Sequence, residues 1–441
     1  MLYHIWTEGC QMNVADSRRL ASALEQLGYQ NSPQAEKADV IILNTCVVRQ
    51  SAEDKAAGRL SSLKKYKLQN PGVVIGLMGC MVGVGDYSQL QKRFPYVDVF
   101  APPSNITTVI NYLLETNRVK ATEFRDRAQA ILEDDFDFIL PEEMRGNTVS
   151  AFVSIVLGCS HACSYCVIPL RRGKEISRPP EDILGEVRNL ADQGIVEVTL
   201  LGQIVDRYGR ENPAYPSLAE LLREIHTIDG IQRIRFLTSH PNWINDELLD
   251  TLVSLPKVMP HFELPIQAGD DEVLRRMRRG YSVEKYKEIV QKVRERFPNS
   301  SIATDLIVGF PGESEEQFDN SVQMLKDVKP DMTHVARYSP RPGTRSAEQM
   351  QDDVTDEEKW RRFRVIEKLQ EQITTEINER YLDTTVPVLF EGQKKGRWFG
   401  RTPTNKLVFV DSSADLLGAI KNIHITWAGP WSMVGNIAEE E

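Results

Sequence analysis

Short apolar runs alternate with amphipathic stretches through the first 116 residues. Val40–Leu43 and Val73–Met78 are apolar almost throughout, as strands buried on both faces of a sheet are. The stretch 48–66 between them repeats its apolar positions at helical spacing. Because alternating strands and helices pack as a parallel sheet covered on both faces, residues 1–116 are predicted to form a doubly wound α/β domain.

The pattern changes three times after that domain. Residues 117–144 lose the alternation and end in the acidic run EDDFDFILPEEM, so they are interpreted as a linker. Residues 145–377 repeat strand and helix six times, which predicts a partial (β/α)6 barrel with its site at the carboxyl ends of the strands. Residues 378–441 are rich in β-forming and turn residues and predict a small antiparallel β-barrel.

Composition places the chain among ordinary globular proteins. Of its 441 residues 41% are hydrophobic, and no apolar run approaches the length of a membrane span. The amino-terminal MLYHIWTEGC lacks the charged start and long apolar core of a secretory signal, so a cytoplasmic protein is expected. The formal net charge of −10 argues against a protein that coats nucleic acid through its overall field, but it leaves room for a local basic patch.

Half of the six cysteines lie in the first domain: Cys10, Cys46 and Cys80 each follow a predicted strand. In a doubly wound sheet ligands bind outside the carboxyl ends of the strands, so the three sulfurs are expected to converge. Cysteine is also a good small buried side chain, and for a single residue that interpretation would be preferred. Three cysteines at equivalent strand ends favour a metal site.

The other three cysteines, Cys159, Cys163 and Cys166, have the spacing C-x3-C-x2-C and follow the first strand of the second series. Zinc usually takes four ligands, and His161 could in principle supply the fourth, although it lies between two of the cysteines in a very short loop. An iron–sulfur cluster is the other candidate, since cysteine thiolates hold such clusters. A four-iron cluster on three cysteines leaves one iron to chelate a small molecule that carries an amine and a carboxylate.

The tail contains the basic stretch KKGRWFGR. Basic side chains contact phosphate, and aromatic rings stack on bases. The candidate RNA contacts are Lys394, Lys395, Arg397, Trp398 and Arg401. The other interpretation is a solvated basic turn followed by two core aromatics.

The second cysteine group, with the aromatic Tyr165 directly before its last cysteine, resembles the signature of radical S-adenosylmethionine (SAM) enzymes. The whole chain resembles the radical SAM methylthiotransferases, whose landmarks appear in order as GCQMN, LNTC, CSYC, LPIQAG and DLIVGFPGE. Within that family the resemblance is closest to the tRNA-2-methylthio-N6-dimethylallyladenosine synthase branch. Ile204, Ala268 and Asp270 depart from the family pattern.

The resemblance implies two 4Fe-4S clusters and SAM as cofactors, and no catalytic side chain, because the radical comes from the cofactor. The second cysteine group would hold the SAM cluster, and the first group would hold an auxiliary cluster that delivers sulfur. The residues implied in contacts with SAM or substrate are Tyr165, Gln203, Gln267 and Asp305. The tail would be an RNA-binding TRAM domain.

The implied reaction adds a 2-methylthio group to C2 of N6-isopentenyl(dimethylallyl)adenosine next to the anticodon of tRNA and consumes two SAM. The implied partners are the tRNA anticodon stem-loop that bears the prenylated adenosine and an electron donor such as flavodoxin or ferredoxin. A monomer without membrane contact is expected. The alternatives are a methylthiotransferase acting on threonylcarbamoyladenosine or on a ribosomal protein, and a non-enzymatic, zinc-stabilised RNA-binding protein.

Overall fold

The computed structural model describes residues 1–48, 50–119, 122–133 and 137–438. The chain forms two compact units. The first comprises Met1–Arg145, Ala151–His161 and Cys166–Gln193, and the second comprises Gly146–Ser150, Ala162–Tyr165 and Gly194–Glu441.

The amino-terminal domain is a five-stranded parallel sheet in the order β2-β1-β3-β4-β5, with helices on both faces. Its elements are β1 (Leu2–Glu8), α1 (Gln11–Gln26), β2 (Gln30–Asn31), β3 (Val40–Thr45), α2 (Gln50–Gln69), β4 (Val74–Gly79), α3 (Ser88–Arg93), β5 (Val99–Ala101), α4 (Thr107–Glu115) and α5 (Thr122–Leu132). Strands β3 and β4 are buried at every residue, as their unbroken apolar runs predicted. The doubly wound prediction is confirmed.

Alternate residues of β3 belong to two separate cores. Val40 and Ile42 pack with α1, α4 and α5, whereas Ile41 and Leu43 pack with α2 on the other face. The two-residue period of a strand therefore divides one apolar run between both layers of helices.

A helix occupies part of the segment that was interpreted as a linker. Ala128 and Ile131 of α5 are buried in the first core, and Phe138 and Leu140 are buried beyond it. Phe124, Ala128, Ile131 and Leu132 recur at helical spacing, so the period is present in the sequence and the linker interpretation overlooked it. Residues 120–121 and 134–136 of the segment lie outside the described residues.

The second strand–helix series follows. Its elements are β6 (Ser150–Ser154), β7 (Val156–Leu157), α6 (Ile168–Arg172), β8 (Ile176–Ser177), α7 (Pro180–Asp192), β9 (Glu197–Leu201), α8 (Leu218–His226), β10 (Arg233–Phe236), α9 (Asp246–Val253), β11 (His261–Glu263), α10 (Asp271–Met277), α11 (Val283–Arg296), β12 (Ser301–Val308), α12 (Glu315–Val328), β13 (Met332–Arg337), α13 (Arg345–Gln349) and α14 (Asp356–Glu379). Strands β9 and β10 are parallel, as are β11, β12 and β13. The predicted alternation of parallel strands and helices is confirmed.

The tail is a closed five-stranded barrel in the order β14-β15-β16-β18-β17. Its strands are β14 (Thr385–Lys394), β15 (Arg397–Arg401), β16 (Leu407–Val410), β17 (Ile420–Ala428) and β18 (Met433–Ile437). The predicted small barrel is therefore confirmed.

Arg235 on β10 anchors this barrel. Its Nη1 donates to the backbone carbonyl of Pro403 and its Nη2 to that of Thr402, both in the tail and both at 2.9 Å. Its Nε donates to the Glu197 carboxylate at 2.9 Å. Among the described residues no helix is both long and apolar enough to cross a membrane.

Candidate functional site

Three strand ends place the first cysteine group at one edge of the amino-terminal sheet. Cys46 directly follows β3 and Cys80 directly follows β4, and both are buried. The backbone N–H of Cys46 donates to Glu8 of β1 at 2.9 Å, and that of Cys80 donates to Thr45 of β3 at 2.9 Å. Cys10 lies two residues beyond β1 as the N-cap of α1. The structure thus places the three residues at one edge of the sheet, and that they hold a metal stays a prediction.

Two fully buried asparagines hold Cys10 against this edge. The Asn13 side-chain oxygen accepts from the Cys10 backbone N–H at 3.2 Å and from its thiol at 3.3 Å. The Asn13 amide nitrogen donates to the Asn44 side chain at 2.9 Å and to the Thr45 carbonyl at 3.0 Å. Sequence analysis missed both asparagines as positioning residues, although they lie in the motifs GCQMN and LNTC.

Burial and neighbouring charges act on the Cys80 thiol at this edge. Burial raises the pKa of Cys80 to about 11, the nearby Cys46 and Cys10 raise it further, and the guanidinium of Arg172 opposes them. A nearby cation favours the thiolate form of Cys80, and a metal centre supplies such a charge when it binds thiolate.

A glycine shapes the start of the second cysteine loop. Gly158 has φ +67°, and a Cβ at this position would lie 2.1 Å from the Lys174 carbonyl oxygen. The next residue, Cys159, is buried and donates its backbone N–H to the Gly173 carbonyl at 3.1 Å. Only glycine fits this turn, because any other side chain would be both strained and obstructed.

Arg279 contacts the middle cysteine of that loop. Its Nη1 lies 3.2 Å from the Cys163 sulfur, its Nη2 donates to the Pro265 carbonyl at 3.2 Å, and its Nε donates to the Tyr281 hydroxyl at 2.9 Å. The guanidinium is buried and rigidly held, so it fixes the position of this sulfur. Sequence analysis missed Arg279, since the contact joins residues that are 116 positions apart.

The residues expected to face SAM follow strands of the second unit. Gln203 comes after β9 and is half-buried, and Asp305 lies on β12 and is also half-buried. Gln267 follows β11, is buried with φ +78°, and exchanges backbone hydrogen bonds of 2.9 Å with residues 305 and 307. Tyr165 packs edge-on against Phe310, with 6.4 Å between the ring centroids. The backbone at Gln267 is in a region that favours glycine, which is typical of functional sites.

A carboxyl group that sequence analysis missed, that of Glu263, accompanies these residues. Burial is the larger cause and the charge of Asp305 the smaller, and together they raise the pKa of Glu263, at the end of β11, to about 7. The Glu263 carboxyl accepts from the backbone N–H of Thr238 at 3.3 Å, and Thr238 has φ +67°. A β-branched residue in that conformation is strained, so this loop after β10 is held by its surroundings.

The three departures from the family pattern have structural explanations. Ala268 is fully buried in a cluster with Phe310, and Ile204 is buried after β9. Asp270 is the N-cap of α10, and its carboxyl accepts from the backbone N–H groups of Glu272 and Val273. N-capping stabilises a helix by about 1 kcal/mol, so Asp270 has a structural role here.

The basic stretch of the tail forms a tight hairpin turn. Lys394 and Lys395 are exposed, with Lys395 at φ +53°. Arg397 pairs with Asp411 at 2.9 Å, and Arg401 donates to the Asn405 carbonyl at 3.2 Å.

Trp398 is not on the surface of that turn. It is 6% exposed and belongs to the core of the tail barrel. The expectation that it stacks on RNA bases is corrected, because along a strand alternate residues face the core and Trp398 occupies a core position.

The donor types of the two cysteine groups suit iron–sulfur clusters. All six cysteines lie within the described residues, and none is in a disulfide. In the described part of the chain no three His, Cys, Asp or Glu side chains converge closely enough for one metal ion. A cluster spreads its thiolate ligands over separate iron atoms, so its fit rests on soft donors at a common edge, which the first cysteine group provides.

Family models cover most of the chain. A radical SAM superfamily model matches residues 153–325, an uncharacterized protein family model (UPF0004) matches 2–102, and a TRAM domain model matches 379–437. A solved structure, the radical SAM methyltransferase TsrM from Kitasatospora setae with cobalamin and a [4Fe-4S] cluster, has a similar fold. Its TM-score is 0.58 at 14% identity, and 78% of this chain and 77% of that chain are covered. These matches define a radical SAM enzyme.

Full-length relatives narrow the class to a family. The chain is 45% identical to the tRNA-2-methylthio-N(6)-dimethylallyladenosine synthase of Roseiflexus sp. (strain RS-1), over 100% of this chain and 90% of the relative. It is 45% identical to the enzyme of the same name from Herpetosiphon aurantiacus, over 99% and 98%. The chain belongs to the family of tRNA-2-methylthio-N(6)-dimethylallyladenosine synthases. The predicted cofactors, SAM and 4Fe-4S clusters, are those of this class of enzyme.

Proposed function

We propose that this chain adds a 2-methylthio group to C2 of N6-dimethylallyladenosine next to the anticodon of tRNA. The observation that carries the proposal is the pair of three-cysteine groups, one at the edge of a doubly wound sheet and one in a C-x3-C-x2-C loop. The relatives named for this product, with which the chain aligns over its full length, support the choice of substrate over the threonylcarbamoyl and ribosomal-protein alternatives.

The cysteines hold two clusters in this proposal. The loop of Cys159, Cys163 and Cys166 holds the cluster that binds SAM, and Cys10, Cys46 and Cys80 hold the auxiliary cluster. Together with SAM, such clusters supply the one-electron and sulfur chemistry that no side chain can perform on an adenine C–H bond.

The remaining residues bind and orient. Arg279 fixes the Cys163 sulfur from one side through its 3.2 Å contact. Gln203 and Gln267 follow β9 and β11, on the side where ligands bind in barrels of parallel strands, and Asp305 lies on β12. Their side chains would hold the methionine and adenosine parts of SAM, and Tyr165 would pack beside them. The buried surroundings of Gln267 would keep water from the reacting atoms.

The tail contributes the tRNA contacts. Lys394 and Lys395 at the exposed turn, with Arg397 and Arg401 on the adjoining strand, would contact phosphates of the anticodon stem-loop. A flavodoxin or ferredoxin would supply electrons to a cytoplasmic, monomeric enzyme.

The proposed domain boundaries follow from these roles. Residues 1–116 carry the auxiliary cluster, 145–377 form the radical SAM core and 378–441 form the TRAM domain. Residues 117–144 connect the first two and contain the packed helix α5.

The proposal is tested with protein reconstituted without oxygen and tRNA that bears the prenylated adenosine. Mass spectrometry of the digested nucleosides should show the 2-methylthio product with wild type and none with Cys163→Ala, which should also fail to cleave SAM. Cys46→Ala should cleave some SAM but make no product. The matched control is the same tRNA without the prenyl group, which should stay unmodified. Full product from Cys46→Ala, or product only on another nucleoside, would refute the proposal.

A further inference from the structure

A buried arginine lies beside the first cysteine group. Arg172 is the last residue of α6, and its side chain is only 2% exposed. Its Nη1 donates to the Ser104 hydroxyl at 3.2 Å, and its Nη2 lies 3.7 Å from the Asp16 carboxylate. A guanidinium buried this deeply is costly unless several groups compensate its charge.

One carboxylate does not account for the placement of Arg172. In the described part of the chain, Nη2 of Arg172 and the facing Oδ2 of Asp16 are buried without a hydrogen-bond partner. An Arg–carboxylate pair that served stability alone would be expected to close into a bidentate contact. Nη2 of Arg172 therefore has donor capacity that Asp16 does not use.

The charges that face Arg172 include the thiols. Cys80 hydrogen-bonds the Arg172 side chain, and Asp16 and Cys10 also lie close enough to interact with its charge. The cation thus interacts with at least two of the three sulfurs.

Ser104 holds the guanidinium from the other side. It follows β5 and has φ +59°, a conformation that non-glycine residues rarely adopt. Its hydroxyl accepts from Arg172 while Ser104 also hydrogen-bonds Asp16. A strained residue that orients a buried ion pair indicates a functional constraint on where this cation lies.

We propose that Arg172 is a positioning residue for the auxiliary cluster and orients the Cys80 sulfur. Its fixed positive charge offsets the negative charge of the thiolate ligands and thereby raises the reduction potential of the cluster. The inference rests on the proposed function in that Cys10, Cys46 and Cys80 are taken to hold a cluster. Hydrogen bonds and net charge near the sulfurs are established means of setting cluster potentials.

The segment that supplies Arg172 gives the inference a further consequence. Helix α6 begins two residues after Cys166, so the chain that leaves the C-x3-C-x2-C loop ends its first helix in the auxiliary site. The charge that tunes the auxiliary cluster therefore comes from the radical SAM core sequence and not from residues 1–116. An amino-terminal domain without this helix would hold its cluster with altered properties.

The test is a potentiometric titration of the anaerobically reconstituted full chain, followed by electron paramagnetic resonance. The signal that changes when SAM is added identifies the SAM cluster and leaves the other as the auxiliary one. Arg172→Met should shift the reduction potential of the auxiliary cluster to a more negative value. At a fixed potential the ratio of oxidised to reduced cluster should rise at least tenfold, which corresponds to a shift of at least about 59 mV for one electron. Arg172→Lys should restore most of the wild-type value, and Asp16→Asn should shift the potential in the opposite direction.

Arg171→Met is the matched control, because Arg171 is the neighbouring cation on α6 and is partly exposed. It should leave the auxiliary potential within threefold of the wild-type ratio. Loss of the auxiliary cluster in Arg172→Met but not in Arg172→Lys would also support the inference, since charge would then be required for assembly. Equal potentials in all variants, or loss of the cluster in both Arg172 variants, would overturn it. Wild type that binds only about four iron atoms would instead refute the proposed function.

Discussion

The anchor between β10 and the tail barrel predicts a large effect of a single substitution. Arg235 and Glu197 are paired at 2.9 Å with side chains only 4% and 5% exposed, and Arg235 also satisfies two carbonyls of the tail. Arg235→Met would leave a buried carboxylate and two buried carbonyls without these donors. Breaking a buried ion pair from one side costs about 3–5 kcal/mol.

That cost should appear as local opening of the tail. The amides of Asn405 and Lys406 donate to Thr402 at 3.0 Å, in the loop that Arg235 holds. Since each 1.4 kcal/mol is tenfold, their hydrogen-exchange protection should fall by roughly two to three and a half orders of magnitude in Arg235→Met. Combining it with Glu197→Gln should recover part of the loss, because no uncompensated charge is then buried.

A surface pair in the same barrel provides the control. Arg397 and Asp411 also lie 2.9 Å apart, but their side chains are 36% and 74% exposed. Arg397→Met should change protection by less than about fivefold, since exposed pairs contribute about 0–1 kcal/mol. We also expect Arg235→Met to raise the KM for tRNA while SAM cleavage without tRNA stays unchanged. If the protection of Arg235→Met stayed within threefold of wild type, this account of the anchor would be wrong.

Three further predictions concern the cysteine site, the barrel and the RNA surface. Asn13→Ala should lower the iron bound by the first cysteine group, measured per chain after reconstitution, because Asn13 fixes Cys10. The pKa of Glu263 is raised from its ordinary value of 4.5 to about 7. Before cofactors are added, the stability that Glu263 contributes is therefore present below about pH 4.5 and lost as the pH rises through 7. The pH dependence of the thermal unfolding temperature across that window should flatten in Glu263→Gln. A variant that keeps the wild-type pH dependence would contradict this role of Glu263. Lys394→Ala combined with Lys395→Ala should weaken tRNA binding and reduce the slope of log K against log salt by about 1.4–1.8, and an unchanged slope would exclude them as phosphate contacts.

The sequence predicted the features that depend on local pattern. Cys46 and Cys80 could be placed at one sheet edge because unbroken apolar runs mark β3 and β4, and parallel strands end at a common edge. The same reasoning predicted the two strands that Gln203 and Gln267 follow. These inferences need only the order of elements along the chain.

Features that depend on distant contacts were missed. Arg172 reaches Ser104 across 68 positions and Arg279 reaches Cys163 across 116, and nothing in the local pattern marks either pairing. The placement of Trp398 was wrong for a related reason, since a basic turn beside an aromatic residue does not tell which face of β15 that residue occupies. Helix α5 was missed although its apolar residues recur at helical spacing, because the linker interpretation rested on the acidic run that follows it.

The central claim is that each three-cysteine group holds its own four-iron cluster. The most direct measurement is iron and sulfide content, with Mössbauer spectra, of the oxygen-protected chain and of two variants that each replace one group by alanine. We predict about eight iron atoms per chain in wild type and about four in each variant, all as 4Fe-4S clusters. A colourless chain that binds zinc, or a variant of Cys10, Cys46 and Cys80 that keeps all of its iron, would contradict the account.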